Sequence, residues 1–156
     1  MIDPTEQILN VRLYKVPLSE YQLRNDLFYH VFVMYETAKY WWTIEKNTEG
    51  LTLQRSTSFD AVVNKYRQKP RCNSKYWEKP QLIIEDKGRR TLDTVLDWLW
   101  SKDILNKKYS WTNSNCKHFA KEFFDEARIQ EIPAKQHRGH SLTACNVLPP
   151  SKSFGR

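Results

Sequence analysis

A cysteine opens a predicted helix within the segment NSNCKHFA, which starts at Asn113. Apolar residues follow Cys116 at helical spacing along one face, namely Phe119, Ala120, Phe123, Phe124 and Ala127. The pattern predicts a helix from Cys116 to about Ile129 whose first turn directs the sulfur toward a core. Free N–H groups and the helix dipole at this position favour a thiolate and can hold an oxyanion. Cys116 is therefore either a nucleophile or a small buried core residue, as free cysteine often is.

A nucleophilic cysteine needs a base, and the chain contains four histidines. His118 lies two residues after the cysteine and would face away from it on a helix, whereas His137 and His140 lie in a segment without periodicity. His30 interrupts the otherwise apolar run LFYHVFVMY, where an unpaired imidazole would be costly. We predict His30 as the general base of Cys116, with a core histidine that is satisfied by other partners as the alternative.

A carboxylate that orients this imidazole is predicted from the hairpin that follows. If residues Glu36 to Lys39 form the turn, Tyr35 faces Tyr40. In every cross-strand pair of this hairpin the two residue numbers then add up to 75. His30 then lies directly opposite Glu45 on the same face of the sheet. A carboxylate there would fix the tautomer of the imidazole and raise its basicity. Thr43 and Asn47 are the alternative orienting residues.

The elements that must position these residues indicate an α+β fold, with a small antiparallel meander packed against helices. Strands are predicted at 8–16, 27–35, 40–46, 51–54 and 81–85, the second of them central and covered on both faces. Helices are predicted at 59–66, from a Thr91 cap to Ser101, and from Cys116, where Ser114 or Asn115 can serve as the N-cap.

The length and composition suit one domain. The chain has 156 residues, of which 40% are apolar, so we expect a single domain over 1–145 with a flexible C-terminal tail over 146–156. Only four glycines are present, and no Walker-type or GxGxxG segment occurs. The sequence therefore does not indicate a Gly-rich phosphate loop.

The net charge of +7 is compatible with a polyanionic partner but is spread along the chain. The densest clusters, 65–71 and 87–90, are predicted to be solvated basic faces. Exposed aromatics among lysines, as in the segment KYWEK around Trp77, could instead bind a peptide or stack on bases. A nucleic-acid partner is indicated only weakly.

Three cysteines in dissimilar contexts, Cys72, Cys116 and Cys145, indicate neither a zinc site nor a disulfide framework. The first residues, MIDPTEQILN, lack the pattern of a signal peptide, and no segment approaches the ~20 apolar residues of a transmembrane helix. We expect an intracellular, cytoplasmic location. The sequence does not predict the oligomeric state.

The order of these features resembles the circularly permuted papain-like thiol hydrolases, in which the histidine precedes the cysteine. The segment NCKHF at 115–119 matches the asparagine-cysteine-x-histidine-phenylalanine motif of LRAT-like acyltransferases. PPPDE-like proteins, some of which are deSUMOylating or deubiquitinating isopeptidases, carry a similar motif. Their early strand also looks like VRLY at 11–14, followed by a strand histidine.

The resemblance implies that Cys116 is the nucleophile and His30 the general base. It implies attack on an amide, isopeptide or acyl-ester bond through a thioester, with no metal or organic cofactor. Asn113 and Asn115 are candidate oxyanion donors, with helix capping as the alternative role for both. Two features depart from the family patterns. LRAT-like acyltransferases generally carry a hydrophobic anchor, which this chain lacks. PPPDE-like proteins usually have glycines after the histidine strand, where this chain has the bulky residues Tyr40, Trp41 and Trp42. A catalytically inactive papain-like fold, or a basic domain that binds a protein or nucleic acid, is the competing interpretation.

Overall fold

The computed structural model describes residues 3–17, 29–67, 69–71, 79–110, 112 and 114–129. The strands are β1 (Asn10–Pro17), β2 (Tyr29–Glu36), β3 (Trp41–Asn47), β4 (Gly50–Ser56), β5 (Lys65–Tyr66), β6 (Lys69–Pro70) and β7 (Gln81–Lys87). The helices are α1 (Phe59–Val63), α2 (Leu92–Ser101) and α3 (Cys116–Arg128). The chain is therefore α+β, as predicted. The predicted tail over 146–156 lies outside the described residues, as do Asn113, His137 and His140.

The main sheet has five antiparallel strands in the order β4-β3-β2-β1-β7. The first four strands pair with their neighbours in the chain, so the predicted meander is confirmed. The predicted strand at 81–85 runs to Lys87 and pairs with β1 at the edge of the sheet. Strands β5 and β6 form a separate two-stranded hairpin.

Strand β2 is covered on both faces, as its apolar sequence predicts. Six consecutive residues, 30–35, are buried. Val31, Val33 and Tyr35 belong to the larger core, which α2 and α3 cover. Phe32 and Met34 point to the opposite face and pack in a second core with residues of β1 and α1.

Helix α3 packs on the larger core through the face that its periodicity predicts. All six residues of that face are buried: Cys116, Phe119, Ala120, Phe123, Phe124 and Ala127. The ring of Phe123 stacks on Tyr35 of β2, with ring centroids 5.7 Å apart. Burial of such aromatic side chains supplies most of the free energy that holds a helix on a sheet. The position of Cys116 relative to β2 is therefore fixed by the core.

The predicted turn between β2 and β3 is wrong by one residue. The Thr37 N–H donates to the Tyr40 carbonyl at 2.9 Å, and the Tyr40 N–H donates back to Thr37 Oγ1 at 3.3 Å. Glu36 consequently pairs with Trp41, and paired numbers sum to 77, not 75. The ladder ends at Val33 and Ile44, so His30 is not paired directly with Glu45.

Helix α1 is shorter than its predicted span of 59–66. Ser58 caps its start by accepting from the Ala61 N–H, and the helix ends at Val63. Asn64 closes the helix, and the chain then enters the β5–β6 hairpin. Within the described part of the chain, no helix is long and apolar enough to cross a membrane.

Candidate active site

The first turn of α3 presents Cys116 to the interior. Asn115 is the N-cap, and its Oδ1 accepts from the N–H groups of Lys117 at 3.0 Å and His118 at 3.2 Å. This cap starts the helix at the cysteine, because it satisfies two of the N–H groups that have no partner within the helix. Cys116 is 5% exposed.

The pairing of β2 with β3 stops short of the residues that face this helix end. Beyond Val33 and Ile44 the two strands no longer pair, so the N–H of Val31 is free to donate to the Cys116 sulfur. On β3, Lys46 donates from Nζ to Ser114 Oγ at 2.8 Å. The segment just before the cysteine is thus anchored to β3, and the thiol lies against β2.

His30 lies between the thiol and a carboxylate. Its Nε2 is 2.8 Å from Glu45 Oε2, and its imidazole is also within hydrogen-bonding reach of the Cys116 thiol. Because Nε2 is engaged by the carboxylate, Nδ1 is the nitrogen that remains for the sulfur. The structure thereby brings together the three residues that sequence reasoning selected for catalysis.

The pKa values of this cluster favour its charged forms. Burial raises the pKa of Cys116, but hydrogen bonds from His30 and the Val31 N–H, together with the charge of His30, lower it below its ordinary value. Burial lowers the pKa of His30, yet hydrogen bonds to Cys116 and Glu45 and their negative charges raise it to about 9. The geometry therefore supports a thiolate–imidazolium pair.

The carboxylate of Glu45 stays ionised although it is only 2% exposed. Burial raises its pKa, but hydrogen bonds from His30 and Arg71 and their positive charges lower it below the ordinary value. A charged group at this depth needs such partners, because its loss of hydration would otherwise be prohibitive.

Arg71 is a partner that sequence reasoning missed. Its Nη2 is 2.7 Å from Glu45 Oε1 and its Nη1 is 3.0 Å from Oε2. The prediction that residues 65–71 form a solvated basic face is wrong at this position, because the Arg71 side chain is 3% exposed. The prediction of a solvated face is confirmed for Lys65 and Lys69, which are exposed. The sequence of a basic cluster does not indicate that one of its members forms an ion pair with a strand residue 26 positions earlier.

Tyr109 is the second residue that was missed. Its hydroxyl hydrogen-bonds the Cys116 sulfur and also accepts from the Cys116 backbone N–H. Burial, the negative charge of the thiolate and the hydrogen bond to the sulfur raise the pKa of Tyr109. It stands seven residues before the cysteine in a segment without periodicity, so no sequence signal marks it.

The remaining predicted residues have other contacts. Thr43 accepts from Gln54 Nε2 at 2.9 Å, and Asn47 donates to the Tyr66 hydroxyl at 2.8 Å, so neither orients His30. His118 is exposed, and its Nδ1 lies 2.9 Å from Asn115 Oδ1. Asn115 acts as the helix cap, while oxyanion donation by Asn115 or Asn113 stays a prediction. Among the described residues, no group of three or more His, Cys, Asp and Glu is arranged to hold a metal ion.

Comparison with known proteins adds no further identification. No family model matches the chain, and no curated protein or solved structure matches it either. The functional interpretation consequently depends on the geometry around Cys116.

Proposed function

We propose that the protein is a thiol hydrolase or acyltransferase in which Cys116 attacks the carbonyl carbon of an amide, isopeptide or acyl-ester bond. The observation that carries the proposal is the contact chain in which His30 joins the buried Cys116 thiol to the Glu45 carboxylate. Nucleophile, base and orienting carboxylate within hydrogen-bond reach are the recurring requirement of covalent catalysis.

In the first half of the reaction, Nδ1 of His30 takes the thiol proton and the thiolate forms a C–S bond with the carbonyl carbon. The carbonyl oxygen becomes an oxyanion, for which the proposed donor is the Tyr109 hydroxyl, released from the sulfur as the C–S bond forms and itself accepting from the Cys116 N–H. The C–N or C–O bond then breaks, and the leaving group takes the proton from the His30 imidazolium. A thioester on Cys116 remains.

In the second half, water or an acceptor amine or alcohol attacks the thioester and loses a proton to His30. The C–S bond breaks, and the thiolate is restored beside the imidazolium. Starting from the thiolate–imidazolium pair, His30 therefore releases one proton to the leaving group and accepts one from the attacking water, amine or alcohol in each cycle. Glu45 stabilises the imidazolium at each stage and holds the ring with Nδ1 toward the sulfur.

The arrangement of elements supports a permuted papain-like fold as part of the proposal. A strand histidine precedes the cysteine in the chain, and the cysteine opens a helix that packs on an antiparallel sheet. Both features are those on which the resemblance to PPPDE-like and LRAT-like proteins depends.

A groove formed by β1, β2, β7 and α3, whose lining includes the chain neighbours of His30 and Cys116, supports an apolar acyl group in the substrate. It has a volume of about 330 Å³, and its apolar lining comprises Leu13, Tyr29, Val31, Ile83, Ile84 and Phe124. An extra residue of β7 opposite the Leu13–Tyr14 step forms a bulge, and both Ile83 and Ile84 line the groove. Tyr29 and Lys117, the chain neighbours of His30 and Cys116, are among the lining residues.

The test is covalent trapping. Wild-type protein is mixed with 4-nitrophenyl esters and arylamides of increasing acyl length, and acidic quenching is followed by intact mass and peptide mapping. We expect the mass of one acyl group on the Cys116 peptide and faster acylation by longer chains. Cys116→Ala should abolish the adduct, whereas Cys145→Ala, the matched control, should retain it. Equal hydrolysis by Cys116→Ala would contradict the proposal.

The competing interpretation, a binding surface rich in tryptophan and basic residues, gains no support from the described tryptophans. Trp42 is 1% exposed, and Trp41 and Trp98 are partly buried. Trp100 is 77% exposed, but it stands on α2 and outside the basic clusters. Trp77 lies outside the described residues. Binding to a protein or nucleic acid through this surface stays a prediction.

A further inference from the structure

Arg71 has a specific role in the site, and this inference rests on the proposed function. We propose that Arg71 is a positioning residue. By binding both oxygens of Glu45 it fixes the carboxylate and partly offsets its negative charge, so that His30 can release a proton as well as accept one. Arg71 touches neither the thiol nor the reacting carbonyl in this account, and it acts through Glu45.

The contact between Arg71 and Glu45 has the geometry of a paired fork. The two terminal nitrogens of Arg71 meet the two oxygens of Glu45 at 2.7 and 3.0 Å. Oε2 is shared, since it also lies 2.8 Å from Nε2 of His30. Bidentate pairing restricts a carboxylate to one plane and one rotation, which a single contact to His30 would not do.

Aromatic rings and a backbone contact hold the guanidinium in place. Its central carbon lies 3.9 Å from the centroid of the Phe32 ring and 5.5 Å from that of Tyr66. The backbone N–H of Arg71 donates to the Asn64 carbonyl at 2.8 Å, which ties the residue to the end of α1. An arginine that served only as a surface charge would not need contacts with two aromatic rings and a backbone carbonyl.

The other groups around His30 make Arg71 the compensating cation of the cluster. Glu45 faces His30 from β3, Cys116 from α3, and Tyr109 contacts Cys116 from the preceding segment. Val16, the partner of His30 on β1, is apolar. Arg67 also experiences the charge of Glu45, but its side chain is 50% exposed and pairs with Glu49.

Without Arg71, proton release from His30 would leave Glu45 as a lone buried anion. That outcome is unfavourable, so the imidazolium would be retained to higher pH. With Arg71 in place, the carboxylate keeps a positive partner after His30 loses its proton. The effect matters most at the thioester stage. The thiolate, which otherwise also raises the pKa of His30, is then consumed, so the pKa of His30 depends mainly on Glu45 and on the charge that Arg71 offsets.

The test is an NMR titration of the His30 imidazole, whose signal is assigned by its absence in His30→Asn. We expect Arg71→Met to raise the titration midpoint by about one pH unit, the effect of one nearby charge. Arg71→Lys keeps the positive charge and should leave the midpoint near that of the wild type. Arg67→Met is the matched control from the same hairpin and should not move it.

If Arg71→Met does not fold, Arg71→Gln is measured in its place. A glutamine can still donate to the Glu45 carboxylate but carries no charge, so its His30 midpoint should also lie above that of the wild type. An unchanged His30 midpoint in a folded variant that lacks Arg71 would overturn the inference, as would an equal rise in Arg71→Lys. The titration needs no substrate, so a shifted midpoint without acylation of Cys116 would contradict the proposed function and leave the role of Arg71 intact.

Discussion

The carboxylate of Glu45 contacts the imidazole of His30 at 2.8 Å, although the register of the hairpin places Glu45 in line with Phe32. A shift of two in the sum of paired numbers keeps both residues on one face of the sheet, because side chains alternate with a period of two. Glu45 therefore reaches His30 diagonally, where the two strands no longer pair.

Replacing Glu45 by Gln should destabilise the fold as well as the site. Arg71 would keep its buried charge without a carboxylate, at a cost of about 3–5 kcal/mol in the free energy of unfolding. Urea denaturation at pH 7 measures the loss, and adding Arg71→Met should recover part of it. Equal midpoints for wild type and Glu45→Gln would show that the pair contributes nothing to stability.

The same variant has a defined pH dependence. Because the folded protein holds the pKa of Glu45 below its ordinary value of 4.5, the carboxylate stabilises the fold above that pH and loses its contribution as the pH falls through the folded value. The difference in unfolding free energy between wild type and Glu45→Gln should therefore shrink below pH 4.5.

Tyr109→Phe should slow acyl transfer by about a hundredfold, because it removes a hydroxyl from the place where the oxyanion forms. The effect belongs to kcat and not to KM, since the oxyanion exists only in the transition state and intermediate. Alkylation of Cys116 by iodoacetamide needs no oxyanion donor and should change far less. Tyr66→Phe removes a hydroxyl that contacts Asn47 and Thr52, and it is the matched control. Full activity of Tyr109→Phe would remove this residue from the mechanism.

Gly88→Ala tests the close contact between the residue that follows β7 and Ile8, which precedes β1. A Cβ at this position would lie 2.4 Å from Ile8 Cγ2 and 2.5 Å from the Ile8 carbonyl oxygen, so the backbone must move. We expect a loss of about 1–3 kcal/mol in urea denaturation. Leu105→Ala, at a residue that is 51% exposed, should lose under about 0.5 kcal/mol. A stability of Gly88→Ala equal to that of Leu105→Ala would contradict the packing described for Ile8.

Local patterns predicted the elements better than the contacts between them. The apolar period of α3 and the unbroken apolar run of β2 follow from short stretches of sequence, and each is found where it was predicted. The hairpin register depends on the way Thr37 and Tyr40 close their turn, which residue types alone did not reveal. Arg71 and Tyr109 join the site through tertiary packing of irregular segments, so no periodicity marks them.

The most direct test of the account is the pH dependence of Cys116 alkylation by iodoacetamide, followed by peptide mapping from pH 5 to 10. Wild type, His30→Asn and urea-unfolded wild type are compared. We predict fast labelling of Cys116 below pH ~7 in the folded wild type, at least about tenfold slower labelling at pH 6 in His30→Asn, and a titration near the free-thiol value of ~8.5 in that variant. If Cys116 in the folded wild type resists labelling, or titrates like the unfolded chain, and His30→Asn changes nothing, Cys116 is a core residue and not a nucleophile.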